Sequence, residues 1–261
     1  MKVGLFDSGL GGLTVLKSII KTFKGAEIIY IADTLYAPYG EKNTQEIFNR
    51  CDKITEHLLE NYGIDVLIVA CNTATSIAIK HLREKFPFLI IIGTEPGIKP
   101  AILNTQSNNI GILATPSTLK GDKYQLLVND LAIIKDVKLH EQACPGLVEQ
   151  IEKGEISTLK TYEMLENWLK PMIRSEVDTI VLGCTHYPLV SKTISDIMGE
   201  DVLLIDTGDA IAKRLMILSQ EKGHKNSGDL TIELLYTGKI NKDMVNIILK
   251  NSKFDMRKCE I

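Results

Sequence analysis

Residues 65–73 read DVLIVACNT and residues 178–186 read DTIVLGCTH, and the two segments align without a gap. Each contains a short apolar, β-branched run of the kind that forms buried parallel strands. In each, a cysteine and further polar residues follow the run. A second pair, VGLFDS at residues 3–8 and IGILAT at residues 110–115, repeats a strand that ends in a hydroxyl-bearing turn. The chain is therefore predicted to contain two related halves.

Apolar strands alternate with amphipathic helices along nearly the whole chain, which predicts a mainly parallel α/β fold. The first domain is expected at residues 1–95 plus 207–261 and the second at 96–206, with crossings at GTEPG (93–97) and DTGD (206–209). Strands are predicted at residues 3–6, 27–32, 66–70, 88–92, 110–114, 138–142, 179–183, 202–205 and 230–236, with a terminal helix at 242–249.

Cys71 and Cys184 stand where their strands are expected to end. Ligands of open α/β sheets collect at the carboxyl ends of strands. Two matching halves that face each other would place one thiol on each side of a single cleft. A helix is expected to begin after each thiol, at Thr73 and at Pro188, and a helix N-terminus favours thiolates and carboxylates.

Composition narrows the class of protein. The 261 residues suffice for two small domains, and a hydrophobic fraction of 44% is ordinary for a globular protein. The net charge is −3 and the basic residues are scattered, which argues against a nucleic-acid partner. No apolar run approaches the roughly 18 residues of a membrane span. Asp7 precedes any signal-peptide core, so a cytoplasmic protein is expected. Five cysteines without a Cys-x-x-Cys pair indicate reduced thiols and predict neither a disulfide framework nor a metal site.

Each candidate residue also has a structural interpretation. A cysteine beside a buried strand is often a small core residue, but the matching positions of Cys71 and Cys184 argue against this interpretation. Cys51 falls on the apolar stripe of a helix and is expected in the core. His186 stands two residues after Cys184, which favours an acid/base partner. Glu152 would ordinarily belong to a solvated helix end.

The first turn, DSGLGG at residues 7–12, superficially resembles a dinucleotide fingerprint with Asp33 as its later acidic residue. The third glycine position is Thr14, so the spacing fails. The alternative is that the glycines let the backbone approach a small anionic ligand while Asp7 projects into the cleft. Asp7 also has a purely structural interpretation, as a helix cap.

Four motifs together resemble the bacterial glutamate racemases, a family of the cofactor-independent amino-acid racemase superfamily. They are FDSGLGG (6–12), PYG (38–40), VACNTA (69–74) and LGCTHYPL (182–189), and they run in order through most of the chain. The resemblance implies two similar parallel-sheet α/β domains related by approximate twofold symmetry, with glutamate bound in the cleft between them. It also implies a homodimer without a cofactor that supplies D-glutamate for peptidoglycan.

The resemblance further implies roles for individual residues. Proton transfer falls to Cys71 and Cys184, assisted by Asp7, His186 and Glu152, with Glu149 as a competing candidate for the last of these. The implied contacts to L- or D-glutamate are Asp7, Ser8, Tyr39, Gly40, Asn72, Thr73, Thr115, Thr185 and His186.

Three other functions compete with this interpretation. The nearest is racemisation of aspartate or hydantoin, since pocket length cannot be read from sequence. A non-catalytic two-lobed binding protein would show the same order of elements but would not need two thiols in register. A nucleotide-dependent oxidoreductase is disfavoured by Thr14.

Overall fold

The computed structural model describes residues 1–121, 124–128, 136–250 and 252–261. The chain divides into two compact units, Met1–Thr94 with Gly208–Ile261, and Glu95–Thr207. Within the described ranges, all strand pairs in both units are parallel, and helices connect the strands. The predicted α/β class with two parallel sheets is therefore confirmed.

The first unit, Met1–Thr94 with Gly208–Ile261, contains a six-stranded sheet in the order β10-β9-β2-β1-β3-β4. Its strands are β1 (Lys2–Asp7), β2 (Ala26–Ala32), β3 (Val66–Val69), β4 (Ile90–Gly93), β9 (Leu230–Tyr236) and β10 (Asp255–Lys258). Its helices are Leu13–Thr22, Thr44–Tyr62, Asn72–Lys85, Gly208–Glu221 and Lys242–Ile248, with a 3₁₀ turn at Tyr39–Glu41.

The second unit, Glu95–Thr207, contains a four-stranded sheet in the order β6-β5-β7-β8. Its strands are β5 (Asn109–Ala114), β6 (Lys138–Ala143), β7 (Thr179–Gly183) and β8 (Leu203–Ile205). Its helices are Ile98–Asn104, Pro116–Lys120, Leu147–Glu152, Leu159–Arg174 and Ser191–Met198, with a 3₁₀ turn at Tyr187–Val190. Residues 124–128 are also helical.

The two sheets share one strand order. The order β2-β1-β3-β4 in the first unit matches β6-β5-β7-β8 in the second, so β1 corresponds to β5 and β3 to β7. Cys71 follows β3 after one residue, and Cys184 follows β7 directly. The internal sequence repeat is thus also a repeat of topology, and both cysteines occupy the same position in it.

The core of the first unit shows why its elements form. Buried strand residues of β1, β2 and β3 pack with the apolar faces of the helices Thr44–Tyr62 and Asn72–Lys85, and Cys51 is fully buried among them, as its position on an apolar stripe predicts. The first of these helices begins after Asn43, whose side chain accepts a 2.8 Å hydrogen bond from the Glu46 N–H. It ends at Gly63, which takes the left-handed conformation at φ 62°.

The structure departs from the sequence-based expectations mainly at three places, while other predicted ends agree within one residue. Strand β4 begins at Ile90 rather than Phe88, because a turn bond from the Leu89 N–H to the Phe86 carbonyl leaves Phe88 99% exposed. Strand β10 was not predicted, since it is a short and largely exposed polar edge strand without an apolar run. After Cys184 the chain forms a 3₁₀ turn, and the α-helix begins only at Ser191.

Two further findings concern the chain as a whole. Among the residues that the structure describes, no helix is both long and apolar enough to span a membrane. All five cysteines lie within the described ranges, and no disulfide joins them. The reduced thiols expected from the cysteine spacing are what the structure contains.

Asp178 ties the start of β7 to the loop before β5. Its carboxylate accepts hydrogen bonds from the Thr105 hydroxyl at 2.6 Å and from the N–H groups of Gln106 and Ser107 at 2.7 and 2.6 Å. Burial raises the pKa of Asp178, but these hydrogen bonds outweigh it and lower the pKa to about 2. The contribution to stability is present above the ordinary value of 3.8 and is lost as the pH falls towards 2.

We expect Asp178→Asn to lower the free energy of unfolding of the second unit by about 1–2 kcal/mol near neutral pH, because it weakens the hydrogen bonds to the carboxylate. The effect stays this small because the side chain is partly exposed to water. Urea denaturation between pH 7 and pH 2.5 measures the effect, and the difference from wild type should shrink at the acidic end. Asp196→Asn is the matched control, since Asp196 only pairs with Lys192 on an exposed helix face. An equal loss in both variants would contradict the assignment.

Candidate functional site

Acidic and thiol side chains gather at the carboxyl ends of three adjacent strands in the first unit. Asp7 ends β1, Asp33 follows β2, and Cys71 follows β3 after Ala70. The Asp33 N–H donates to the Asp7 carbonyl at 2.9 Å, and the Ala70 N–H donates to the Phe6 carbonyl at 2.9 Å. Both aspartates are fully buried and Cys71 is 7% exposed, so this edge is largely closed to solvent.

The glycine turn after β1 is organised around Asp7. The Asp7 carboxylate accepts a 3.0 Å hydrogen bond from the Gly9 N–H, and the Tyr30 hydroxyl donates to the Gly9 carbonyl at 2.6 Å. A Cβ at Gly12 would lie 2.6 Å from the Asp7 Cβ, so only glycine fits there. Gly12 is also the N-cap of the helix Leu13–Thr22, so Asp7 orders the turn and does not occupy the cap position.

Cys71 is the N-cap residue of the helix Asn72–Lys85. The positive end of the helix dipole favours negative charge at this position. Behind it, Thr75 and Thr94 both donate hydroxyl hydrogen bonds of 3.0 Å to the Val69 carbonyl, and the Thr94 N–H donates to the Thr75 hydroxyl at 3.0 Å. Sequence reasoning missed these two buried threonines, which brace the end of β3. The only signal for these threonines in the sequence is that each follows a predicted strand within a few residues.

Asn72 has a buried side-chain amide. Its side chain is 5% exposed, yet neither Oδ1 nor Nδ2 forms a hydrogen bond with the part of the chain that the structure describes. A buried polar group of this kind carries a desolvation cost unless a ligand satisfies it. The neighbouring Ser8 and Thr73, also predicted from the motifs, are buried at 4% and 2% exposure.

Tyr39 and Gly40 lie on the 3₁₀ turn Tyr39–Glu41 of the first unit. The Tyr39 side chain is 1% exposed, and its hydroxyl donates a 2.6 Å hydrogen bond to the Asp33 carboxylate. Burial is the main cause that raises the pKa of Tyr39 well above its ordinary value, and the charge of Asp33 adds to it. The hydroxyl therefore remains a neutral donor.

In the second unit, Cys184 faces a histidine–carboxylate pair. The Cys184 Sγ lies 3.7 Å from the His186 Nδ1, and the His186 Nε2 lies 2.7 Å from the Glu152 carboxylate. Burial lowers the pKa of His186, but its hydrogen bonds and charge interactions with Cys184 and Glu152 outweigh burial, so the pKa is raised well above 6.5. A protonated imidazole beside a sulfur favours negative charge on it.

The predicted residues of the second unit occupy two strand ends and one helix. Cys184 and Thr185 follow β7, and Thr115 follows β5, where its hydroxyl accepts a 3.2 Å hydrogen bond from the Thr118 N–H as the helix cap. Glu152 ends the helix Leu147–Glu152 and contacts His186. Glu149 lies on the first turn of the same helix and acts by its charge on Tyr187.

A second thiol lies near Cys184. Cys144 follows β6 and is 2% exposed, and burial raises its pKa to about 12 with a further contribution from the charge of Cys184. The Tyr187 side chain is fully buried beside these thiols, and burial followed by the Cys184 and Cys144 charges raises its pKa. Sequence analysis gave Cys144 no role, because its relation to Cys184 arises only when β6 and β7 flank β5.

The two cysteines have different electrostatic surroundings. Cys71 caps an α-helix directly, whereas Cys184 precedes a 3₁₀ turn whose cap residue is His186. The helix expected after Cys71 is an α-helix, whereas the helix expected from Pro188 begins as the 3₁₀ turn Tyr187–Val190 and becomes an α-helix only at Ser191. Beside Cys184, the His186–Glu152 pair is found in place of the α-helix N-terminus that was expected to favour a thiolate. In residues 1–121, 124–128, 136–250 and 252–261, no group of three or more His, Cys, Asp or Glu side chains is arranged to hold a metal ion.

Comparison with known proteins gives a consistent result. A family model described as Asp/Glu/Hydantoin racemase matches residues 7–215. The glutamate racemase of Aliarcobacter butzleri (strain RM4018) is 72% identical over 261 residues, which cover all of both chains. The structure of Escherichia coli glutamate racemase with L-glutamate and the activator UDP-MurNAc-ala is 30% identical with a TM-score of 0.85, covering 99% of this chain and 98% of that one. The Francisella tularensis enzyme with D-glutamate is 25% identical with a TM-score of 0.82, covering 100% and 97%.

Proposed function

Because the chain belongs to the Asp/Glu/hydantoin racemase family, we propose that it interconverts L- and D-glutamate without a cofactor. The observation that carries the proposal is the placement of Cys71 and Cys184 after corresponding strands of two sheets with the same strand order. One base cannot easily serve both faces of an α-carbon, and a repeated fold supplies two equivalent thiols.

In the proposed reaction one cysteine acts as a thiolate and the other as a thiol. The thiolate takes the α-proton, the C–H electron pair passes into the carbanion, and the thiol delivers its proton to the opposite face of the carbon. The first cysteine ends as a thiol and the second as a thiolate, so the reverse direction uses the same groups with exchanged roles. The mechanism requires the two sulfurs to face the α-carbon from opposite sides.

The difficult step is accumulation of negative charge beside an existing carboxylate. Donors held in place before the reaction stabilise such charge best where water is excluded. The buried Asn72 amide, the buried hydroxyls of Ser8, Thr73 and Thr185, and the helix that begins at Asn72 suit this role. We assign Asp7 the role of assisting Cys71, and His186 with Glu152 that of assisting Cys184, which the contacts from His186 to the Cys184 sulfur and to the Glu152 carboxylate support.

We expect Asn72→Ala to raise the KM for glutamate by about ten-fold while leaving the unfolding temperature unchanged or slightly higher, because the amide has no hydrogen-bond partner to lose among the residues that the structure describes. Steady-state kinetics and thermal unfolding on the same sample measure both effects. Asn61→Ala is the control, since that amide bonds within its own helix on an exposed face. A clear loss of stability in the Asn72 variant would show that its amide serves the fold.

Further features of the protein follow from the same proposal. We assign it a role in supplying D-glutamate for peptidoglycan, and we keep a homodimer and a cytoplasmic location as predictions from the sequence. The relatives solved with L-glutamate and with D-glutamate support glutamate as the ligand. Size-exclusion chromatography with light scattering would test the dimer.

The decisive experiment follows the α-proton and the optical rotation of each glutamate enantiomer in D₂O, with purified protein and no added cofactor. The proposal predicts inversion with deuterium incorporation from both enantiomers. Activity on aspartate alone would retain the chemistry and change the substrate. Binding of glutamate without exchange would instead favour a non-catalytic binding protein.

A further inference from the structure

A buried ion pair lies behind the turn that carries Tyr39. Asp33 follows β2, and Arg50 lies on the helix Thr44–Tyr62. The Arg50 Nη2 and Nε donate to the two Asp33 carboxylate oxygens at 2.7 and 2.9 Å. Asp33 is fully buried and Arg50 is 3% exposed. A buried pair of this kind is tolerated only when further hydrogen bonds satisfy both partners.

The remaining positions of the Asp33 carboxylate are also occupied. The Tyr39 hydroxyl donates to Oδ2 at 2.6 Å, and the Thr237 hydroxyl donates to Oδ1 at 2.9 Å. Each oxygen therefore accepts two hydrogen bonds, which exhausts its ordinary capacity. Asp33 is thus not available to accept from a ribose or to take a proton from a substrate, although its place after the second strand first suggested a nucleotide-binding residue.

The same side chains hold the segment between Asp33 and Tyr39. The Leu35 N–H donates to the Thr237 hydroxyl at 3.0 Å, and the Arg50 guanidinium lies 4.1 Å from the centre of the Tyr36 ring. Arg50 Nη1 also donates to the main-chain oxygen of Ile261 at 2.7 Å. The segment is thereby tied to the helix Thr44–Tyr62, to the loop after β9 and to the C-terminal segment.

Charge balance is a second consequence of the pair. Arg50 compensates Asp33, so this buried carboxylate presents no uncompensated negative charge to a nearby anionic substrate. The Tyr39 hydroxyl is committed to the carboxylate, with its aromatic ring buried. The geometry therefore makes the hydroxyl an anchor for the turn Tyr39–Glu41.

We propose that Asp33 and Arg50 are positioning residues, which hold the turn Tyr39–Glu41 through the Tyr39 hydroxyl so that the turn can bind glutamate. This role rests on the proposed function and on the contacts of Tyr39 and Gly40 to glutamate that the family resemblance implies. The Tyr39 hydroxyl contributes to substrate affinity through Asp33 and does not itself touch glutamate.

The first test is a double-mutant cycle on KM with Tyr39→Phe and Asp33→Asn. Each variant should raise the KM for glutamate by about ten-fold with kcat within about two-fold of wild type, because both release the same turn. The double variant should be no worse than the poorer single variant, because both changes act on the same hydrogen bond between the Tyr39 hydroxyl and the Asp33 carboxylate. If the two effects multiply, the hydroxyl contacts the substrate independently and the proposal is wrong.

Tyr62→Phe is the matched control, because the half-buried Tyr62 pairs through its hydroxyl with Arg257 and Glu233 of the same unit and not with Asp33. Its KM should match the wild-type value. If Asp33→Asn does not fold, Thr237→Val replaces it in the cycle, because it removes a donor to the same carboxylate and the acceptor of the Leu35 N–H, and so also releases the segment before Tyr39. A tenfold rise of KM in the Tyr62 variant would also overturn the proposal, since the effect would then follow from any lost tyrosine hydroxyl.

Amide hydrogen exchange without substrate separates this proposal from the proposed function. Exchange in residues 34–42 should rise at least about ten-fold in Tyr39→Phe and stay at the wild-type rate in Tyr62→Phe. Unchanged exchange in the Tyr39 variant would show that the hydroxyl does not hold the turn. If the wild-type protein fails to racemise glutamate, the proposed function fails, while the exchange experiment still decides whether Asp33 anchors the turn.

Discussion

Replacing either Cys71 or Cys184 with serine is expected to lower the kcat/KM for glutamate racemisation by at least about a thousand-fold. In the proposed mechanism every turnover uses both sulfurs, one as base and one as acid, and a serine hydroxyl is a far weaker acid than a thiol. L- and D-glutamate have equal free energies, so kcat/KM must fall equally in the two directions. Steady-state circular dichroism assays from each enantiomer measure the loss.

Isotope exchange makes this prediction sharper. Each single variant keeps one thiol, which still faces one side of the α-carbon in the proposed mechanism. We expect deuterium from D₂O to enter only one enantiomer without inversion, and the enantiomer should differ between Cys71→Ser and Cys184→Ser. Exchange of both enantiomers by one variant would mean that a single base serves both faces.

The two serine variants should remain folded, because the substitution changes one atom at sites that are 7% and 8% exposed. Cys259→Ser is the control, since this half-buried cysteine lies beyond β10. It should retain the wild-type rate and unfolding temperature. A comparable loss of rate in this control would point to a general effect of removing thiols.

The second largest effect is expected for His186→Asn, with a fall in kcat/KM of about a hundred-fold. The change removes the contact between the ring and Glu152 and the positive charge beside Cys184, where the ring nitrogen lies 3.7 Å from the sulfur. His186→Gln tests whether the contact with Glu152 alone is sufficient, because the longer glutamine amide can still reach that carboxylate. Both variants should racemise glutamate slowly, since only the imidazole ring contacts the Glu152 carboxylate and the Cys184 thiol at the same time.

The pH dependence tests the electrostatic part of this role. The pKa of His186 is raised well above 6.5, so its contribution to stability is fully present below pH 6.5 and is lost as the pH rises through the higher folded value. Glu152→Gln removes the carboxylate charge and should lower that pKa. The alkaline limb of the kcat/KM profile is then expected to move to lower pH.

Glu149→Gln is the control for this profile, because Glu149 lies on the same helix but is not the carboxylate that contacts His186. Its alkaline limb should coincide with that of the wild-type protein. If the limb moves in the Glu149 variant and not in the Glu152 variant, the competing assignment of Glu149 replaces the one made here.

Local patterns in the chain predicted most of the architecture. The β-branched runs at residues 66–69 and 179–183 form β3 and β7, and their alignment reflects a shared strand order. Such predictions succeed because strand periodicity and apolar composition are properties of a few consecutive residues. Strand β10 lacks an apolar run and pairs at the sheet edge through main-chain groups, so its sequence carried no comparable signal.

The contacts between polar side chains, unlike the strands and helices, could not be predicted from local sequence. Motifs in the chain were enough to single out Cys71, Cys184 and His186, but not to show that Glu152 meets the ring 34 residues away. Asp33 likewise finds Arg50 and Thr237 at separations of 17 and 204 residues. A buried carboxylate must find donors wherever folding brings them, and its neighbours in sequence say little about which donors these are. The amino-acid order therefore determined the elements and the reactive groups, while only the folded chain decided which groups pair, because polar satisfaction is a property of three-dimensional packing.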